Sequence, residues 1–370
     1  MKDIIRVLVV DDSPLVRTIL VSMLKSMPGF EIVGEAKDGE EAVRLTASLH
    51  PDVITMDIRM PRVNGLEATR QIMRTTPTPI VVVASSVYES DLNIAFNAVE
   101  AGALTVVEKP RGLSETDFDA VRDQLVTTVR LMSDVQVVTL WSSDQQATQV
   151  TRRPVRLDTG PAVRPELIAI GASTGGPGIL HQILRGLPGD FSIPIAVVQH
   201  ITPGFGQGFA QWLGSVTPLQ VALAQDGERL APGRVFIAPD DLHLMVTAGG
   251  TIRLEHSEPI SGRRPSATCL FESAAKAYGP ATLGIILTGM GDDGVDGLAA
   301  IRQAGGRVIA QNEESCVVYG MPKAAIEQGV VDQVLAPDDI ASTLRGFNGR
   351  PDASVDNDQD PNATNRAHDA

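Results

Sequence analysis

"LIAIGASTGG", residues Leu167–Gly176, is an unbroken apolar run that ends in a glycine-rich turn with one serine, Ser173, at its tip. An apolar run of this length bounded by glycine is the mark of a strand buried on both faces, and such strands belong to parallel sheets covered by helices. The next segment, "GGPGILHQILRGL", has apolar residues at helical spacing. The same alternation returns in "PIAVVQH" with "FGQGFAQWLGSV", in "ATLGIILTG" with "GVDGLAAIRQAGG", and in "RVIAQN" and "VDQVLA". "HLMVTAGGTIRLEH" breaks the rhythm, because two alternating segments about a Gly-Gly pair predict a hairpin. Residues 166–348 are therefore expected to form a doubly wound α/β domain with a small β-hairpin insert.

Upstream, five apolar β-branched runs, "RVLVVDD", "EIVGEA", "DVITMDI", "PIVVVASS" and "LTVVEKP", each precede an amphipathic segment. Residues 1–132 are thus expected to be a second α/β unit, around a five-stranded parallel sheet. Its first helix is announced by Ser13 as N-cap and Pro14 at the first helical position, with Leu15, Ile19, Leu20, Met23 and Leu24 on one face. Residues 133–165 are polar and proline-containing and read as a linker, and residues 349–370 hold almost nothing to bury and read as a disordered tail.

A chain of 370 residues with 43% hydrophobic and 21% charged residues has the balance of a soluble protein with two domains. No apolar run approaches the roughly 20 residues that span a bilayer, so membrane insertion is not expected. The amino terminus lacks the pattern of a signal peptide, which implies a cytoplasmic location. A formal charge of -14 opposes binding to nucleic acid, whose affinity comes from neutralising phosphates. Cys269 and Cys316, the two cysteines, lack metal or redox spacing and read as reduced thiols.

Two sets of residues carry chemistry. In the first, Asp11 and Asp12 end the first strand, Asp57 the third, and Lys109 the fifth. Loop acids are usually just solvated, but strand ends on one edge of an open parallel sheet converge on one crevice. Carboxylates gathered there repel each other unless a divalent cation joins them, and hard oxygen ligands suit magnesium. With "VVDDS", "TMDIRMP", "VVVASS" and "EKP" in this order, residues 1–130 resemble the receiver domain of bacterial response regulators, which has a flavodoxin-like fold. The resemblance implies that Asp57 accepts a phosphoryl group from a histidine kinase. It further implies that Asp12, Asp57 and the Arg59 carbonyl bind Mg²⁺, with Asp11 acting through water, and that Lys109 pairs with the phosphoryl oxygens. Ser85 matches the hydroxyl that senses the phosphate, with Ser86 as the alternative.

The second set surrounds Ser173. "GASTGG" fits a nucleophile elbow, G-x-S-x-G, and also a damaged dinucleotide fingerprint with phosphate on a helix N-terminus. The dinucleotide reading wants an acid at the end of the next strand, where this chain has Gln199 and His200. A lone histidine is more often structural, but a base at the adjacent strand end is what a serine nucleophile requires. "LTGMGDDG" then offers a carboxylate to orient it, although Asp292 or Asp293 would also serve as N-cap of the helix beginning near Val295. "IAIGASTGGP", "VQHI", "GRVFIAPD", "ILTGMGDDG" and "AQNEESCVVYGMP" resemble the catalytic domain of the chemotaxis protein-glutamate methylesterases, the CheB family. By that resemblance Ser173 is the nucleophile, His200 the general base, Asp293 the orienting acid, and the Met290 N–H an oxyanion donor. Two departures stand out: the family commonly has Asn in place of Asp292, and H-R-P-S followed by an acid where this chain has "RRPSATCL", which puts Arg263 and Thr268 at changed positions.

The resemblance implies a phosphorylation-activated hydrolase that removes methyl esters from glutamates on chemoreceptor cytoplasmic helices and deamidates receptor glutamines. It implies a chemotaxis histidine kinase as phosphodonor and no cofactor for hydrolysis. Two other readings keep the receiver: a serine amidase or esterase acting on a small molecule, and a nonenzymatic output. The second fits poorly with an acidic chain that lacks a basic helix pair.

Overall fold

The structure, a computed structural model, describes residues 4–85, 89–110, 115–135, 137 and 163–348. Ser86, most of the expected linker and all of the expected tail lie outside them.

The amino-terminal unit alternates β1 (Ile5–Val10), α1 (Pro14–Lys25), β2 (Phe30–Ala36), α2 (Gly39–Leu49), β3 (Val53–Asp57), α3 (Gly65–Thr75), β4 (Ile80–Ala84), α4 (Glu89–Glu100), β5 (Thr105–Glu108) and α5 (Glu115–Met132). The five strands are parallel in the order β2-β1-β3-β4-β5, the flavodoxin-like arrangement expected. Ser13 caps α1, its hydroxyl accepting from the Val16 N–H at 3.4 Å, and Leu20, Met23 and Leu24 are buried. Leu15, expected on the same face, is 69% exposed, because the first turn leaves that face uncovered.

The second unit has β6 (Leu167–Ala172), α6 (Gly176–Arg185), β7 (Ile195–Gln199), α7 (Gly206–Val216), β8 (Gln220–Leu223), β9 (Arg234–Ile237), β10 (His243–Val246) and β11 (Ile252–Glu255). It continues with α8 (Ala267–Tyr278), β12 (Thr282–Ile286), α9 (Val295–Gln303), β13 (Arg307–Gln311), α10 (Met321–Glu327), β14 (Gln333–Leu335) and α11 (Pro337–Gly346). Seven parallel strands run in the order β14-β13-β12-β6-β7-β9-β8, and β10 and β11 form the expected antiparallel hairpin. Along β6, Ile168 and Ile170 join a core with α6, α7 and α11, while Leu167 and Ala169 join a core with α8, α9 and α10. The sheet is covered on both faces, which is why its strands read as continuous apolar runs. From β6 the chain moves outward to β7, and from β12 it moves the opposite way to β13. The crevice beyond the carboxyl ends of β6 and β12 is therefore the topological switch point, the usual location of a site in such folds.

The two units are packed together. Phe96 on α4 sits 5.4 Å, centroid to centroid, from both Phe209 and Trp212 on α7, and all three are buried. The Gln124 amide on α5 also donates to the Thr202 hydroxyl across the boundary at 3.2 Å.

Candidate active site

In the amino-terminal unit the switch point falls between β1 and β3. Acid ligand atoms of Asp11, Asp12 and Asp57 lie within 4.8 Å of one another there. Lys109 reaches in from the end of β5, its Nζ 2.8 Å from Asp11 Oδ2 and 2.9 Å from Asp57 Oδ1. Burial pushes the Asp57 carboxyl up to about 6; Lys109 opposes this shift and Asp11 adds to it. Burial by itself would lower Lys109, but Asp57 and Asp11 outweigh it and raise the ammonium. Asp57 Oδ2 is buried without a hydrogen-bond partner, and the Arg59 N–H donates to Oδ1 at 3.3 Å. A hard oxygen donor left unsatisfied beside two further carboxylates suits a divalent cation. Ser85 follows β4 on the same edge of the sheet.

At the second switch point three loops meet. Ser173 follows β6 and is 5% exposed; its N–H donates to the Thr288 carbonyl at 3.0 Å, tying the β6 loop to the β12 loop. The left-handed step of the turn falls on Gly175 (φ 80°), so Ser173 itself does not carry the backbone strain of a nucleophile elbow. Gly289 makes room for the serine, because a Cβ there would lie 2.6 Å from the Ser173 Cβ. His200 follows β7, and its N–H donates to the Ala172 carbonyl at 2.9 Å. Between them Gln199 uses one amide to donate to the carbonyls of Ser173 at 2.7 Å and His200 at 2.8 Å.

His200 Nε2 lies 2.8 Å from Asp293 Oδ2. The carboxylate makes Nε2 the protonated nitrogen and leaves Nδ1 as acceptor, the reverse of the nitrogen roles in chymotrypsin-type triads. Asp293 does not cap α9, whose N-cap is Gly294 (φ 99°) without a side-chain bond. It sits instead at the amino end of α8. Its Oδ2 accepts from the Ala267 N–H at 2.7 Å and its Oδ1 from the Ser266 hydroxyl at 2.6 Å and the Thr268 hydroxyl at 3.1 Å. Burial alone would raise the Asp293 carboxyl, but hydrogen bonds from His200, Ser266 and Ala267 overcome it and hold the group well below the usual carboxylate range. Asp292 is exposed and makes none of these contacts.

Ser173, His200 and Arg263 line one cavity of about 210 Å³ together with Phe96, Thr105 and Gln124 of the amino-terminal unit. Among the described residues nothing accepts from the Met290 N–H, and Met290 is 38% exposed at the rim. Burial pushes the Cys269 thiol to about 11 and that of Cys316 to about 12, so neither is a ready thiolate nucleophile at neutral pH.

The family model described as response regulator receiver domain matches residues 7–121, and that described as CheB methylesterase matches residues 168–344. A protein-glutamate methylesterase/protein-glutamine glutaminase of Myxococcus xanthus is 47% identical over 342 residues, covering 92% of this chain and 96% of the relative. The chain belongs to the CheB family. A relative of the same description from Geobacter metallireducens is 44% identical over 341 residues, covering 92% of this chain and 98% of its own length. The solved CheB methylesterase catalytic domain of Thermotoga maritima is 43% identical, covering 50% of this chain and all of that one, with a TM-score of 0.49.

Of the positions at which this CheB chain was expected to depart from the family pattern, Arg263 and Thr268 touch the Ser-His-Asp set, whereas Asp292 does not. Arg263 Nη1 lies 3.1 Å from His200 Nδ1, and its Nη2 donates to the Met290 carbonyl at 3.3 Å. Thr268 donates to Asp293 and accepts from the Gly294 N–H at 2.9 Å. Gln199 and Ser266 were not singled out from sequence as site residues. Their roles depend on side-chain direction at a strand end and a helix start, and the only available signal was the Ser-Ala-Thr that follows Pro265.

Proposed function

We propose that this chain is a phosphorylation-controlled methylesterase and glutaminase acting on glutamate methyl esters and glutamines of chemoreceptor cytoplasmic helices. The observation that carries this reading is the meeting of Ser173, His200 and Asp293 at the β6/β12 switch point, under a receiver-type unit with its own acidic site.

Ser173 Oγ attacks the side-chain carbonyl while His200 Nδ1 takes its proton, and Asp293 keeps Nε2–H aligned and stabilises the imidazolium. The Met290 N–H, which has no acceptor among the described residues, is free for the oxyanion. Collapse passes the proton from His200 to the leaving group, which departs as methanol or ammonia, and water then releases glutamate by the same route. Control acts through access. A helix about 10–12 Å across does not enter a 210 Å³ cavity roofed by β5, α4 and α5, so the receiver-type unit holds the resting enzyme closed.

Asp57 is the phosphoacceptor, with Lys109 as partner to the added charge and Ser85 as the sensing hydroxyl. Asp12, Asp57 and the Arg59 carbonyl, with Asp11 through water, are the residues to hold Mg²⁺, which supplies charge neutralisation for the incoming phosphoryl group. A chemotaxis histidine kinase is the donor, and the cytoplasm is the compartment where both partners are met. No helix among the described residues is long and apolar enough to cross a membrane.

The test measures methanol release from methylated receptor membranes by the full chain, with and without a small-molecule phosphodonor. The wild type should release methanol and be stimulated by the donor; Ser173→Ala should release none while still taking phosphate on Asp57. Methanol release by the Ser173 variant at the wild-type rate would refute the triad, and release from small esters but not from receptors would favour a small-molecule esterase.

A further inference from the structure

Arg263 is a cation that faces no counter-ion among the described residues. Among the described residues its two partners are neutral acceptors, His200 Nδ1 at 3.1 Å and the Met290 carbonyl at 3.3 Å, and no carboxylate pairs with it. Arg234 pairs with Glu228 at 2.6 Å and Arg302 with Asp332 at 2.7 Å, while Arg307 and Arg345, like Arg263, donate to neutral partners; Arg263 differs from these in that one of its partners is the imidazole beside Ser173. The guanidinium is half-buried, lines the Ser173 cavity, and passes 3.1 Å from where a Cβ on Gly291 would stand. It thus spans the gap between the lone pair of the general base and the backbone of Met290 and Gly291. That is the gap a scissile carbonyl must enter to lie between Ser173 and the Met290 N–H.

The arginine cannot keep its present contact during reaction. Nδ1 must accept the Ser173 proton, and it cannot do so while accepting from Arg263. No described residue offers the Ser173 hydroxyl a hydrogen bond either, so serine and base are not yet engaged. Where the guanidinium goes is decided by charge. The substrate ester or amide is neutral, whereas the tetrahedral intermediate carries a full negative charge on the former carbonyl oxygen, and planar N–H donors bind such oxygens well.

Resting on the hydrolase reading above, we propose that Arg263 is a further catalytic residue: it leaves His200 Nδ1 as substrate enters and, with the Met290 N–H, binds the tetrahedral oxyanion. The Ser173 Oγ–carbon bond forms, the carbonyl π pair moves to oxygen beside the guanidinium, and the serine proton passes to the vacated Nδ1. Collapse of the oxyanion expels methoxide, which takes that proton and leaves as methanol. The contact seen in the resting enzyme is the parked position of the same group.

The experiment uses the full chain with phosphodonor and two readouts: methanol release from methylated receptors, and the rate at which a fluorophosphonate labels Ser173. Arg263→Gln should lower both kcat and labelling by about 10²-fold, as loss of one oxyanion donor does, with KM changed little. Arg263→Lys should recover part of the loss, having the charge but not the fork. Added guanidinium ion should partly restore Arg263→Ala, a rescue that a merely structural role would not show. If Arg263→Gln labels and turns over at least as fast as the wild type, the arginine only plugs the base and the proposal falls. It also falls if guanidinium fails to rescue a variant that melts at the wild-type temperature. Labelling decides the arginine's role even if receptor esters prove to be the wrong substrate.

Discussion

Two adjacent carboxylates, Asp292 and Asp293, are equivalent on paper and opposite in the fold. Asp293 is enclosed by donors from His200, Ser266, Ala267 and Thr268, while Asp292 faces solvent. Asp293→Asn leaves the shape intact but offers the imidazole a group that can present the wrong partner, and turnover should fall on the order of 10⁴-fold, as in other serine triads. Asp292→Asn should change turnover little; comparing kcat for the pair on the same receptor preparation checks the ranking. Asp57 gives a prediction in pH. Its folded carboxyl stands at about 6 against an ordinary 3.8, so between those values the folded state keeps a proton that the unfolded chain has released. Stability is therefore lost as pH rises through that window and stays lower above it. In magnesium-free buffer Asp57→Asn should raise the melting temperature at pH 8 and hardly alter it at pH 4; an equal gain at both would show that charge is not the source. Residues at strand ends, Asp11, Asp57, Lys109, Ser173 and His200, were legible in sequence because parallel strands deliver their ends to a shared edge. Arg263 was visible only as a departure from the family pattern, because its loop returns to a histidine 63 positions away by a path that no periodicity encodes.

Among the elements, α8 does more than cover the sheet. Ser266 caps it, the hydroxyl accepting from the Thr268 N–H at 3.1 Å while donating to Asp293, so one side chain fixes a helix start and the proposed orienting acid together. Ser266→Ala should cost about 1 kcal/mol of stability, the usual loss for an N-cap, seen as a lower denaturation midpoint. It should also reduce kcat while leaving KM nearly unchanged, since Asp293 keeps its backbone donors but loses a hydroxyl. The long apolar strands and the Gly-Gly hairpin were readable from pattern alone. β8 and β9 were not, because four residues each, "QVAL" and "RVFI", are too short to show a period. α8 escaped for a different reason: its one local sign was the Ser266 cap after Pro265, and that serine's second partner, Asp293, lies 27 residues downstream.

For the whole molecule, the placement of the amino-terminal unit matters most. β5 is the last strand of its sheet, and its residues Thr105, Val106 and Val107 line the Ser173 cavity with Phe96 and Gln124. A fragment beginning near Pro165 should hydrolyse receptor esters faster than the unphosphorylated full chain, and Asp57→Ala should hold the full chain at its basal rate in the presence of phosphodonor. If the fragment were no faster, the receiver-type unit would have to act by assembling the site rather than by covering it.

Among the described residues the seam between the two units is built round Phe96, Phe209 and Trp212, with the hydrogen bond from Gln124 to Thr202 and the approach of Glu100 to His181 at 3.9 Å beside them. Contacts of that composition draw their strength from the release of water, and they weaken on cooling. The closed state should therefore leak in the cold: the ratio of unphosphorylated to phosphorylated rate should climb as the assay temperature falls from 37 °C towards 5 °C, although both rates decline. Such an enzyme would carry a thermometer within its own repression, resetting its receptors with less instruction from the kinase when the cell is cold.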